Sequence, residues 1–238
     1  RQLASFADLS ASDKSSSIVY DSDISLVPES KAGKVTTVDM LTSHVYYFNT
    51  ENEIFAKPEV RAALSLAIDR NAIAELVNYT IPAKGFVPAG VYKNTARKAD
   101  YRDSYDALIS ESANVDEARS MLRTAGVTSG SFTLTCRDSE VEKVVAEYVK
   151  GVWEDLGFKV TIRSLGMNNT GIEATEQTKF YSIYRDEFTD AFVARNFDVI
   201  AIDYTAMSTY AFAALAPFAT GFTGQAISLK DLALTDNY

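Results

Sequence analysis

Between Phe132 and Ile162 the hydrophobic and polar positions spell out three elements in succession. Phe132, Leu134 and Cys136 alternate with Thr133 and Thr135, the period of two that gives a strand one row of side chains on each face. Ser139 followed three residues later by Glu142 is a capping box. Behind it Val141, Val144, Val145, Tyr148, Val149, Val152 and Leu156 recur at steps of three and four. That spacing predicts an amphipathic helix of about five turns. Gly157 suits the left-handed position that ends a helix, and Phe158, Val160 and Ile162 then alternate with Lys159, Thr161 and Arg163. A strand, a crossover helix and a strand of these lengths pair in parallel with a right-handed connection, so the fold class is α/β.

The same reading extends along the chain. Leu3, Phe6 and Leu9 predict a short helix, and residues 18–20, 24–27 and 35–38 read as short strands joined by tight connections. Residues 45–49 form an aromatic strand. Pro58 opens a core-facing helix with Val60, Ala63, Leu64, Ala67, Ile68, Ile73, Leu76 and Val77 inward, kinked near residues 69–71. Pro82, Gly85, Pro88 and Gly90 hold residues 81–92 as a rigid loop. Residues 93–113 are polar, anchored by Tyr101 and Tyr105. Residues 114–126 form a helix, with Asn114 as N-cap, Glu117 at the box position and Gly126 as stop. After a polar loop at 166–171, Phe180, Ile183, Tyr184, Phe188, Ala191 and Phe192 predict a second crossover helix. Residues 197–202 are nearly continuous apolar, the mark of a third parallel strand buried on both faces. Ser208 is positioned to cap a last Ala-rich helix through Leu215, followed by Pro217 and a loop at 221–224.

Composition narrows the function classes. The 238 residues, 47% of them apolar, suffice for a sizeable core. The formal charge is −9 and Lys and Arg form no cluster or stripe that would follow a phosphate backbone, so no nucleic-acid partner is expected. One cysteine, Cys136, cannot form an internal disulfide and belongs to the core face of its strand. The only histidine, His44, leaves no Ser/His/Asp or Cys/His arrangement and no metal-ligand spacing, and it reads as a structural residue beside the aromatic strand. No glycine pattern cradles a nucleotide phosphate, so neither cofactor nor metal is expected. One position is chemically suggestive: Asp203, Tyr204 and Thr205 follow the buried strand at 197–202, where open α/β sheets bind ligands. These three residues either orient a small polar ligand or cap the next turn and pack.

The order of features is similar to that of a known family. Tyr47-Phe48-Asn49 leads into Pro58-Glu59-Val60-Arg61-Ala62-Ala63-Leu64-Ser65-Leu66-Ala67-Ile68-Asp69-Arg70-Asn71-Ala72-Ile73. This resembles the V-R-x-A-L-x-x-A-I-D-R-x-x-I helix of the extracytoplasmic solute-binding proteins that serve peptide and dipeptide ABC transporters. Gly85-Phe86-Val87-Pro88-Ala89-Gly90, the helix from Glu117 to Gly126 and Phe197-Asp198-Val199 resemble further parts of the same pattern, over about residues 15–224.

The resemblance implies a mixed, mainly parallel sheet with helices on both faces, one lobe of a type II periplasmic-binding-protein-like fold. Residues 1–238 would be a single C-terminal-type lobe of a two-lobed protein. Its implied function is capture of a solute, an oligopeptide above all, for an ABC importer, without catalysis. Implied partners are the ligand, the missing lobe and the membrane permease. The implied location is extracytoplasmic, at the cell surface as a lipoprotein or in the periplasm. Peptide-binding members carry an Asp for the ligand's amino terminus at the position occupied here by Met207, whose thioether cannot neutralise an ammonium ion. Either Asp203, four residues earlier, takes that role, or the ligand is not an ordinary peptide with a free amine. Asp203, Tyr204, Thr205 and Met207 are the expected cleft-lining residues. Two other classes stay open: a sensor or adhesion domain that kept the fold, and an α/β enzyme working through carboxylates near Asp203.

Overall fold

The computed structural model describes residue 26 and residues 40–93, 96, 99–166, 186–206 and 208–218. The expected elements at residues 1–25 and 27–38, the loops at 167–171 and 221–224 and the helical stretch 180–185 lie outside these. The described elements are β1 (Thr42–Phe48), α1 (Pro58–Leu66), α2 (Arg70–Leu76), α3 (Val115–Ala125), β2 (Gly130–Arg137), α4 (Glu140–Asp155), β3 (Phe158–Leu165), α5 (Glu187–Val193), β4 (Val199–Thr205) and α6 (Ala211–Leu215). Single 3₁₀ turns stand at Arg102–Ser104 and Ala216–Phe218.

The strand–helix–strand unit is as the pattern predicts. β2 and β3 pair in parallel, from Gly130 opposite Phe158 to Arg137 opposite Leu165. β4 joins the other side of β2, also parallel, with Leu134 opposite Val199, in the strand order β1-β4-β2-β3. β1 runs the opposite way: the Asn49 N–H donates to the Asp198 carbonyl at 2.8 Å and the Ala206 N–H to the Leu41 carbonyl at 2.7 Å. The sheet is thus mixed and mainly parallel. Helices cover both faces, and β4 shows why its sequence is continuously apolar. Val199 and Ala201 pack with Leu64, Leu122, Val149 and Trp153 of α1, α3 and α4, whereas Ile200 and Ile202 pack with Phe188 and Ala191 of α5.

Where the sequence suggests one kinked helix, two helices meet at a break. α1 ends at Leu66, and the Asp69 carboxylate starts α2 by accepting from the N–H groups of Asn71 (2.9 Å) and Ala72 (3.2 Å). Arg70 turns back onto the end of α1, donating to the carbonyls of Ser65 and Ile68, both at 3.2 Å. The Asp-Arg pair therefore supplies the caps that a continuous helix would not need. The box at α4 is opened in a different way. Ser139 Oγ accepts from the Glu142 N–H at 3.2 Å, but the Glu142 carboxylate accepts from the Arg137 N–H at 2.7 Å, tying the helix to the end of β2. Gly157 has φ +109°, and a Cβ there would lie 2.6 Å from the Thr128 carbonyl oxygen, so only glycine fits. Cys136 is buried, and burial with the nearby Glu142 pushes its thiol up to about 11.

The chain divides into two compact units. Of the described residues, the larger holds Leu26 and 46–82, 111–166 and 186–202; the smaller holds 40–45, 83–93, 96, 99–110, 203–206 and 208–218. In the smaller unit Val87, Val91, Ala211 and Ala214 are buried, with Leu41, Phe86, Tyr101, Tyr204 and Ala206 packed against them. Arg102 fastens its Pro/Gly loop by donating to the Val87 carbonyl, and the Asp100 carboxylate accepts from the Gly90 N–H at 2.6 Å. Ser208 does not cap α6. Its hydroxyl accepts from the Tyr210 N–H at 3.2 Å, a local turn ahead of the helix, and Tyr210 stands at the N-cap.

Candidate functional site

The sequence places Asp203, Tyr204 and Thr205 after a strand; the structure makes them the last three residues of β4. That difference has a geometric consequence, because successive side chains of a strand point to opposite faces. Asp203 and Thr205 share one face and Tyr204 takes the other. Tyr204 is packed on Phe86, with ring centroids 4.4 Å apart, and Phe86 meets Phe218 edge-on at 4.7 Å. Burial raises the Tyr204 phenol above its ordinary range. Tyr204 anchors the β4 end to the core of the smaller unit. Met207 lies outside the described residues.

Asp203 and Thr205 meet partners on β1. The aromatic strand begins three residues earlier than its hydrophobic pattern indicates, because Thr42 and His44 continue the ladder through polar pairs. The Thr42 and Thr205 hydroxyls are 3.0 Å apart. His44 Nδ1 lies 2.8 Å from an Asp203 carboxylate oxygen. Both pairs sit directly across the antiparallel ladder, where hydrogen-bonded side-chain pairs of this kind stabilise the pairing. The side chains of His44 and Asp203 are 34% and 55% exposed, so the pair is open to solvent and to a solute.

This arrangement offers a carboxylate, an imidazole and two hydroxyls at the carboxyl end of a parallel strand. Such a set can accept and donate hydrogen bonds to a small polar ligand. Among the described residues no group of three or more His, Cys, Asp and Glu could hold a metal ion. His44 was expected as a structural residue, and its pairing with Asp203 joins positions 159 residues apart. Two other residues singled out by sequence have architectural contacts. The Asp198 carboxylate accepts from Asn52 Nδ2 (2.8 Å) and the Thr133 N–H (2.9 Å), and Asn49 Nδ2 donates to the Phe197 carbonyl at 3.1 Å. Together they fix where β4 enters the sheet.

Comparison with known proteins gives a consistent answer. The family model for the bacterial extracellular solute-binding proteins, family 5 (middle region), matches residues 7–226. The periplasmic murein peptide-binding protein MppA of Escherichia coli (strain K12) is 28% identical over 187 residues, 75% of this chain and 31% of MppA. The solved pheromone receptor PrgZ, described with its mode of peptide binding, superimposes with a TM-score of 0.59 at 22% identity, over 76% of this chain and 34% of PrgZ. A crystal structure of a peptide-binding protein of a peptide ABC transporter gives a TM-score of 0.59 at 21% identity, over 75% of this chain and 74% of that one. The chain spans about a third of the length of MppA and PrgZ.

Proposed function

Because the chain belongs to the bacterial extracellular solute-binding proteins of family 5, we propose that it furnishes one wall of a peptide-binding cleft that captures short peptides for an ABC importer. The observation that carries this reading is the family match across residues 7–226. The family binds solutes rather than transforming them, and in this proposal the chain works by binding alone, outside the cytoplasm. Its partners are the peptide, a second lobe that closes over it and the membrane permease. Asp203 and Thr205 face the ligand from the end of β4, Met207 follows them in the chain, and Tyr204 holds that end in place.

Affinity tests the proposal. Two-lobed receptors bury most of a ligand by closing on it, so one wall supplies about half of the contacts. If the whole receptor binds at about 1 μM, near −8 kcal/mol, halving leaves about −4 kcal/mol, or millimolar. Isothermal titration of this chain with short peptides is expected to show binding in that range. Submicromolar binding by the chain alone overturns the one-wall reading, and the absence of binding at about 10 mM overturns peptide as the ligand class.

A further inference from the structure

We infer that His44 is a positioning residue for ligand capture: it fixes the Asp203 carboxylate so that the carboxylate can accept a hydrogen bond from an N–H donor of the bound peptide. The inference rests on the reading of Asp203 as ligand-facing and adds to it a residue that helps to order Asp203 as an acceptor. Three observations carry it. First, His44 and Asp203 stand directly opposite each other on antiparallel strands, and Nδ1 and the carboxylate oxygen are 2.8 Å apart. Second, the pair continues into a second cross-strand contact, Thr42 with Thr205 at 3.0 Å, so the polar face has a fixed register rather than one isolated bond. Third, Asp203 is more than half exposed while His44 is only a third exposed. The imidazole is the inner member of the pair and the carboxylate the outer one.

The chemistry follows from the donor inventory. A carboxylate has about four lone-pair positions on its two oxygens, and the Nδ1–H of His44 uses one of them. An exposed Asp without such a partner samples several rotamers, and a ligand must pay the entropy of ordering it. Held by His44, the carboxylate meets the peptide already oriented. Either a free amino terminus or a backbone amide satisfies it.

The test uses the fact that His44 is the only histidine, so its ring signals are identified without assignment. Trialanine and its N-acetylated form are titrated into the chain and into three variants, with the ring signals followed by NMR in the proteins that keep His44 and affinity taken from backbone amide shifts in all of them. Trialanine is expected to shift the His44 ring signals of the unaltered chain. Asp203→Asn is expected to weaken binding about tenfold, the effect of losing a hydrogen bond to a charged acceptor. His44→Ala is expected to weaken it by about threefold to tenfold. His44→Asn restores binding to within about twofold, because the Asn amide nitrogen lies as many bonds from the backbone as Nδ1 and donates in its place. Unaltered binding by Asp203→Asn, or no response of the ring to trialanine at about 10 mM, overturns the ligand-facing reading itself. Weak binding by Asp203→Asn with unaltered binding by His44→Ala overturns the role of His44 and leaves the site standing. Failure of His44→Asn to recover what His44→Ala loses also overturns it, since N–H donation is then not what His44 contributes.

Discussion

In the larger unit Trp153 is fully buried, ringed by Tyr46, Phe48 and Phe132 at 5.5 to 6.0 Å, with its Nε1–H donating to the Leu64 carbonyl at 3.0 Å. Around it α1, α3, α4, β2, β3 and β4 all contribute buried side chains to one cluster. The smaller unit has no comparable centre among its described residues. Its buried hydrophobic cluster is two valines and two alanines, and its Pro/Gly loop is fastened by Arg102 and Asp100. Phe212 and Leu108 in that unit are 66% and 82% exposed. The contrast teaches that the sequence features most typical of the family serve the architecture of the larger unit, whereas the candidate site is carried by the sparsely packed one. A site whose elements have few buried contacts can yield to a ligand at low cost, as is common for binding regions.

Substitutions in the two units test this contrast, and the largest effect is expected at Trp153. Trp153→Ala removes the centre of the aromatic cluster and leaves the Leu64 carbonyl without its donor, at a cost of about 3–5 kcal/mol. Urea unfolding followed by far-UV circular dichroism measures it. A loss below about 1 kcal/mol would show that the larger unit is not organised around this residue.

Next comes Asp198. Asp198→Ala deprives both Asn52 Nδ2 and the Thr133 N–H, each part-buried, of their acceptor, and an unsatisfied donor removed from water costs about 1–3 kcal/mol. A total of about 2–3 kcal/mol is expected, with faster amide exchange at Thr133 as the local sign. In the smaller unit Val91 is fully buried, yet Val91→Ala deletes only two methyl groups, so about 1–2 kcal/mol is expected. Hydrogen exchange at residues 83–93 reads that loss. A cost at Val91 equal to that at Trp153 would erase the distinction between the units.

How far the fold could be read from the sequence follows the same division. The β2–α4–β3 unit was legible because its signals are local: alternation in the strands, a three-and-four spacing in the helix, Ser139 before it and Gly157 after it. The break between α1 and α2 was less so. Asp69 and Arg70 read as members of a helical pattern, and only the structure shows them capping two different helix ends. The candidate site was half legible. Asp203 stood out by its place after an apolar run, but the extent of β4 decides that Tyr204 faces away from it. His44 carried no local signal, because its partner is set by the register of two strands far apart in sequence.

The smallest effect on stability is expected at that pair, and this is what makes it useful. Exposed cross-strand polar pairs contribute about 1 kcal/mol or less, because both groups are well solvated when separated. The pair is about half open to water, and the Thr42–Thr205 contact next to it keeps the strand register when the imidazole is removed. His44→Ala is therefore expected to shift the urea midpoint only slightly while changing peptide affinity severalfold. Stability and binding would then be controlled by different residues in different units. A destabilisation of about 2 kcal/mol or more at His44 would instead make the pair a structural clasp, and the two units would no longer divide fold from function.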